Sequence, residues 1–137
     1  MVEWVGPLNL NAKPPMPNPF VHCELATKNP AKAKAFYGKL FDWKLADLPM
    51  PAPAGNYTSI RVGQGTGGGM MKQMMPGAGS AWMPYVQVKD IDAATKKARK
   101  LGAKICKGVT EVKGMGWFSL INDPTGALLG LWEPLDQ

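Results

Sequence analysis

The stretch Phe20-Val-His-Cys-Glu-Leu-Ala26, followed by Asn29-Pro30 and by Ala33-Lys-Ala-Phe-Tyr-Gly-Lys-Leu-Phe-Asp-Trp43, decides the fold of this chain. The first segment alternates between apolar and polar residues and carries His22 and Glu24 on one face, which predicts a half-buried strand. Asparagine is a good helix N-cap and proline suits the first helical position, so a helix is predicted to follow. The third segment has apolar residues at helical spacing and then begins a second strand.

The same order of elements occurs twice in the chain. After the first helix, strands are predicted from Trp43, over Tyr57–Val62 and near Met70, the last two being joined by a glycine-rich turn. A strand from Met83, a helix capped by Asp90 and ended by Gly102, and strands at 104–107, 116–121 and 128–132 then repeat the pattern. We therefore predict one β-α-β-β-β unit used twice, at about residues 19–73 and 82–134.

Composition limits the class of protein. The chain has 137 residues, 45% apolar, which suits a single globular domain, here placed at 19–137 behind a proline-rich arm at 1–18. The two cysteines, Cys23 and Cys106, have no C-x-x-C spacing and fit reduced thiols in a cytoplasmic protein. No apolar run is long enough to span a membrane, and no signal-peptide pattern is present.

The net charge of +6 is concentrated in one segment, between Lys96 and Lys107. Such a run favours a solvated helix face. Nucleic-acid binding is the weaker interpretation, because no aromatic residues interleave the basic ones and no known binding motif accompanies them.

The doubled unit resembles the glyoxalase/bleomycin-resistance superfamily, also called the vicinal oxygen chelate superfamily. The segments that carry the resemblance are Phe20-Val-His-Cys-Glu-Leu25, Ala33–Trp43, Val88-Lys-Asp-Ile-Asp-Ala93 and Asn122-Asp-Pro-Thr-Gly126. Within the superfamily the chain is most similar to small bacterial proteins related to lactoylglutathione lyase. The resemblance implies an α+β fold in which two β-α-β-β-β units form a curved mixed sheet with a concave cavity, in a homodimer.

Metal-dependent members of this superfamily take one metal ligand from the first and one from the last strand of each unit. Carried over to this chain, these positions fall on His22, on Met70 or Met71, on Met83 and on Gly130. Thioethers are poor ligands for hard or borderline divalent ions, and glycine has no side chain. The resemblance therefore implies no metal cofactor here, with a reduced site from His22 and Glu24 as the alternative.

His22 and Glu24 are the candidate catalytic or anchoring residues, either as acid/base groups or as a hydrogen-bonded remnant of an ancestral site. The other residues predicted to line the cavity are apolar or aromatic and suit a partly apolar small molecule, although they would also serve as core. They are Met70, Met71, Met83, Tyr85, Trp117, Leu128, Gly130 and Trp132.

Two functions follow from these residues. The first is metal-independent binding of a small, partly apolar molecule, and the second is a glyoxalase-like lyase or isomerase activity.

Gly63-Gln-Gly-Thr-Gly-Gly68 matches G-x-G-x-x-G by letter. A hairpin turn is the favoured interpretation, because no helix follows it to complete a dinucleotide site.

Overall fold

Eight strands and two helices follow one another in the computed structural model, which describes residues 17–50 and 55–135. Unit one consists of β1 (Phe20–Thr27), α1 (Pro30–Leu40), β2 (Lys44–Pro49), β3 (Asn56–Arg61) and β4 (Gly68–Lys72). Unit two consists of β5 (Ala81–Gln87), α2 (Ile91–Lys100), β6 (Lys104–Val112), β7 (Gly116–Asn122) and β8 (Leu128–Pro134). The predicted arm at 1–18 lies outside the described residues except for its last two positions.

All eight strands join in one mixed sheet, in the order β2-β3-β4-β1-β5-β8-β7-β6. In each unit the first and last strands pair in parallel, as β1 with β4 and β5 with β8. The two units meet through the antiparallel pair β1–β5, so they pair within a single chain. The predicted fold, two β-α-β-β-β units forming a curved mixed sheet, is confirmed.

Both helices begin at the predicted caps. The side chain of Asn29 accepts a hydrogen bond from the backbone N–H of Lys32 at 3.0 Å, and that of Asp90 accepts one from Ala93 at 3.0 Å. Each bond satisfies a donor that the first helical turn would otherwise leave unpaired. Neither of these two helices is long and apolar enough to cross a membrane.

The helices cover one face of the sheet, which we call the helix face; the opposite side is the open face. Beneath α1 the core consists of Leu25, Ile60 and Met70, against which the helix residues Ala33 and Tyr37 pack. Beneath α2 it consists of Val88, Ile91, Ile121 and Leu131. Because side chains alternate along a strand, these core residues identify which neighbours point to the open face.

The apolar side chains on and next to each helix are only partly buried. On α1, Phe36 and Leu40 are 56% and 54% exposed, and Phe41 just beyond it is 43% exposed. On α2, Ile91 is buried, but Leu101, directly after the helix, is 68% exposed. Apolar spacing therefore identified the helices correctly but overestimated how much of each stripe the sheet covers.

Candidate functional site

Three polar side chains meet on the open face. His22 and Glu24 project from β1 on the same side, and their Nε2 and Oε2 atoms are 3.1 Å apart. The hydroxyl of Tyr57, on β3, lies 3.0 Å from each of these two atoms. We call these three residues the polar cluster.

Each hydrogen-bonding group of the polar cluster has a consistent role. The Tyr57 hydroxyl donates to Oε2 of Glu24. Burial raises the pKa of Tyr57, and the negative charge and hydrogen bond of Glu24 raise it further, so the phenol keeps its proton. With its proton on Nε2, His22 can donate to Oε2 of Glu24 and to the oxygen of Tyr57, so every contact of the cluster joins a donor to an acceptor.

One atom of the cluster is left without a partner. Oε1 of Glu24 is buried and accepts no hydrogen bond from the described residues. A buried carboxylate oxygen without a donor costs free energy, because it has lost its water without replacement. Oε1 is therefore an acceptor that the described residues leave unsatisfied.

Aromatic and thioether groups surround the polar cluster. Met83 is paired with Glu24 across β1 and β5, and Tyr85 is paired with His22, their rings meeting edge to face at 5.5 Å. The ring of Tyr85 also lies 6.3 Å from that of Phe118. Burial, followed by the charge of Glu24, raises the pKa of Tyr85, which therefore stays neutral.

Glycines on β4 and β8 make room for the two tyrosines. Gly69 is paired with Glu24, and Gly130 occupies the matching position beside Tyr85 in unit two. A Cβ on Gly69 would lie 1.8 Å from the Tyr57 hydroxyl, and one on Gly130 would lie 2.3 Å from the Tyr85 ring. The tyrosine side chains thus fill the space that a longer side chain on either last strand would need.

This arrangement does not fit the four-ligand metal centre of the superfamily. The open-face positions on the last strands are Gly69 and Gly130, and the first strand of unit two offers Met83. Within residues 17–50 and 55–135, no group of three or more His, Cys, Asp or Glu side chains could hold a metal ion. The donor set around His22 consists instead of one carboxylate and one neutral phenol.

Most of the predicted cavity residues lie on the open face. Strand pairing and alternation place Met71 next to Tyr57, and Met83 next to Glu24. They also place Leu128, Gly130 and Trp132 on one side of β8, with Gly130 beside Tyr85.

Two of the predicted cavity residues, Met70 and Trp117, point to the helix face instead. Met70 is fully buried and packs with Leu25 and Ile60 under α1. Trp117 packs against the core beneath α2. In both cases the next residue along the strand, Met71 or Phe118, faces the open side, because a shift of one residue moves a side chain to the opposite face.

Tyr57 and Phe118 are open-face residues that the sequence prediction missed. They sit at corresponding places on β3 and β7, Tyr57 opposite Met71 and Phe118 opposite Trp132. Alternation within Tyr57–Val62 shows that Tyr57 and Ile60 face opposite sides. Assigning Tyr57 to the open face also requires the pairing of β3 with β4 and of β4 with β1, which no local pattern contains.

Two clefts lie away from the polar cluster. One, of about 220 Å³, is apolar and is lined by Cys23, Trp43, Ile60 and Trp82 among others. The second, of about 760 Å³, is lined by residues of β2, β3 and the glycine-rich turn. The polar cluster itself therefore lies on the sheet surface between aromatic neighbours, outside both of these clefts.

A sequence model of the Glyoxalase/Bleomycin resistance protein/Dioxygenase superfamily matches residues 20–131, which include every strand of both units up to the middle of β8. The chain belongs to this superfamily. The match confirms the family resemblance seen in the sequence.

Curated proteins are similar to the chain over most of its length. The Mycobacterium tuberculosis protein named "Putative glyoxylase CFP32" is 34% identical over 114 residues, covering 80% of this chain and 43% of that protein. The anthracycline biosynthesis protein DnrV of Streptomyces peucetius is 25% identical over 127 residues, covering 80% of this chain and 45% of that protein. The chain thus spans less than half the length of these relatives.

Solved structures share the superfamily fold at low sequence identity. A hypothetical protein from Bacillus halodurans has a TM-score of 0.67 at 15% identity, with 88% of this chain and 96% of that chain covered. Methylmalonyl-CoA epimerase from Mycobacterium tuberculosis has a TM-score of 0.63 at 17% identity, with 84% of this chain and 87% of that one covered. At these identities the likeness concerns the fold alone.

Proposed function

We propose that this superfamily member binds a small, partly apolar molecule on its open face without a metal ion. The observation that carries the proposal is the unpaired, buried Oε1 of Glu24 beside the polar cluster. A ligand hydroxyl, amine or amide N–H that reached this oxygen would supply the donor it lacks and remove the desolvation cost.

The surroundings of Glu24 favour a flat or apolar ligand body. Met83 and Tyr85 lie directly beside the polar cluster on β5, and Met71 lies beside it on the other side. Thioether and aromatic side chains adapt to apolar ligands, while a few polar groups fix their orientation. In this proposal Glu24 accepts a hydrogen bond from the ligand, and His22 and Tyr57 hold the Glu24 carboxylate in place.

Metal independence is part of the proposal and is supported by the chemistry of the open-face positions. The two glycines offer no donor atoms, and the space around them is filled by Tyr57 and Tyr85. A methionine stands at the fourth position. Divalent cations such as zinc and manganese prefer nitrogen, thiolate or carboxylate ligands over thioethers.

A thermal-shift screen tests both parts of the proposal. Aromatic and heteroaromatic metabolites with hydroxyl or amine donors are screened on the wild type, with and without a chelator, and separately magnesium, manganese, nickel and zinc are added alone. Ligands that raise the melting temperature in the presence of chelator, and do so less for Glu24→Gln, support the proposal.

Glu111→Gln is the matched control, because Glu111 is an exposed carboxylate on β6, opposite Trp117. It should respond to ligands as the wild type does. Stabilisation that depends on added metal would overturn metal independence, and equal ligand effects on wild type and Glu24→Gln would overturn the role of Glu24.

A second candidate function is a metal-free lyase or isomerase activity. The observation that favours it is the contact of Glu24 Oε2 with both His22 and the protonated Tyr57, which leaves Oε1 available as a general base. Loss of turnover in Glu24→Gln with ligand affinity retained would assign the general base to Glu24. Unchanged turnover in that variant would exclude Glu24 as the base, and absence of turnover in the wild type would exclude the activity.

We also propose that the chain forms a homodimer in the bacterial cytoplasm. The exposed apolar residues on and beside α1, which include Phe36, Leu40 and Phe41, support burial against a second copy. The free cysteines Cys23 and Cys106 support a reducing compartment. Sedimentation equilibrium of the wild type and of Leu40→Lys would test the dimer: the variant should be more monomeric, and a monomeric wild type would refute it.

A further inference from the structure

Two cations, Lys44 and Arg61, face each other at the edge of the sheet. Lys44 on β2 and Arg61 on β3 are directly paired in the antiparallel register, and both are exposed. Within the described residues no carboxylate lies within 4.0 Å of either cation, since Asp47 pairs with Lys34 and Glu24 with His22. Like charges placed directly opposite each other destabilise a strand pair, which makes their juxtaposition costly without an anion.

The turn that follows β3 adds uncommitted donors next to these cations. Gly63 and Gly65 have φ angles of +95° and +96°, and residues 63–66 are all exposed. The backbone N–H groups of 63–66 donate to no acceptor among the described residues. This is the segment that matches G-x-G-x-x-G, and it leads into β4 instead of a helix, so it lacks the helix N-terminus of a dinucleotide site.

One wide cleft brings the cations and the turn together. Its volume is about 760 Å³, and Lys44, Arg61, Gly63 and Gly65 all line it. Asp42 lines it as well and offsets part of the positive charge. Arginine and lysine side chains combined with free backbone N–H groups are the donors that phosphate oxygens accept most readily.

We propose that this cleft binds a phosphate-type oxyanion through Lys44, Arg61 and the N–H groups of the turn. The anion relieves the repulsion between the two cations and supplies acceptors for the free donors. Because the cleft is open to solvent and contains Asp42, the affinity for inorganic phosphate alone is weak. The site is separate from the polar cluster, and its test does not depend on the ligand of the open face.

The test follows backbone amide chemical shifts by NMR while inorganic phosphate is added at constant ionic strength. Saturable shifts are expected at residues 63–66 and at Arg61. The variant Lys44→Gln/Arg61→Gln should weaken binding by about tenfold or more, the loss typical of charge-assisted hydrogen bonds. Asp42→Asn should tighten binding, because it removes the opposing charge.

The control is Arg99→Gln/Lys100→Gln, which removes the same charge from the exposed end of α2. This variant should bind phosphate as the wild type does. Equal weakening by the control, or shifts without saturation, would overturn the proposal in favour of general electrostatic attraction. Should the double variant not fold, Arg61→Gln and Asp42→Asn test the same prediction in opposite directions.

Phenyl phosphate distinguishes a free anion from an anionic group carried by a larger ligand. If the group belongs to a larger molecule, phenyl phosphate should bind more tightly than inorganic phosphate and also shift apolar neighbours of the cleft such as Ile60 and Val62. Equal affinities would assign the cleft to the free anion. Binding of neither compound at the turn refutes the site.

Discussion

Replacing Tyr57 by phenylalanine removes one hydroxyl group from the polar cluster and leaves the ring in place. That hydroxyl donates to Oε2 of Glu24 at 3.0 Å and lies 3.0 Å from Nε2 of His22. A hydrogen bond to a charged group contributes about 1.5–3 kcal/mol to stability. Glu24 keeps its contact with His22, whose side chain is 32% exposed, so we expect a loss near the lower limit, about 1.5 kcal/mol.

Urea unfolding of wild type and Tyr57→Phe measures this loss. With a slope of about 1.5 kcal/mol/M, the midpoint should fall by about 1 M, and the slope itself should not change. Tyr85→Phe is the matched control: Tyr85 is also a partly buried tyrosine next to Glu24, but its hydroxyl makes no hydrogen bond with the described residues. It should change the free energy of unfolding by less than about 0.5 kcal/mol.

A double-mutant cycle separates the Tyr57–Glu24 contact from the rest of the cluster. Glu24→Gln and Tyr57→Phe should not be additive, since each removes one end of the same hydrogen bond. If Tyr57→Phe is as stable as the wild type, or if Tyr85→Phe costs as much, the hydroxyl does not hold Glu24 and the account of the polar cluster is wrong.

Three further changes test other parts of the structure. Gly69→Ala should displace the Tyr57 side chain, because the new Cβ would lie 1.8 Å from its hydroxyl; a crystal structure with Tyr57 unmoved would contradict this. Thr95→Val should lower the free energy of unfolding by about 1–3 kcal/mol, because the buried Ser119 hydroxyl, 2.9 Å from Thr95 Oγ1, loses its hydrogen-bond partner. Thermal or urea unfolding measures this loss, and adding Ser119→Ala should recover part of it. Hydrogen bonds from the Thr125 hydroxyl and from backbone N–H groups lower the pKa of Asp123 in the folded protein. The carboxylate should therefore stabilise the fold at pH values above the pKa of the unfolded chain, and this stabilisation should be lost as the pH falls through the folded-state pKa. An NMR titration of Asp123 that gives an ordinary pKa would refute this.

The order of elements could be predicted because each one carries a local signal. Asn29 and Asp90 begin the helices, and their side chains make the expected capping bonds. The two units are recognisable because the same local signals recur in the same order. None of this requires knowing which strands are neighbours.

The candidate site could be predicted only in part, because it depends on strand register. His22 and Glu24 are two residues apart on one strand, so their shared face follows from alternation alone. Tyr57 reaches His22 and Glu24 across β4, where Gly69 rather than Met70 faces them. Both of these features depend on pairing between distant segments of the chain. Met70 and Trp117 pack on the helix face because each lies one residue away from an open-face position on its strand.

The fit between each glycine and its tyrosine imposes an order on changes to this protein. A carboxylate introduced at Gly69 or Gly130 would collide with Tyr57 or Tyr85 as long as that ring is present. A variant library that changes one position at a time would therefore find at each glycine only substitutions that displace the neighbouring tyrosine. The same substitutions become accessible once the tyrosine has been made smaller, so engineering a metal centre into this sheet has to begin on β3 and β5.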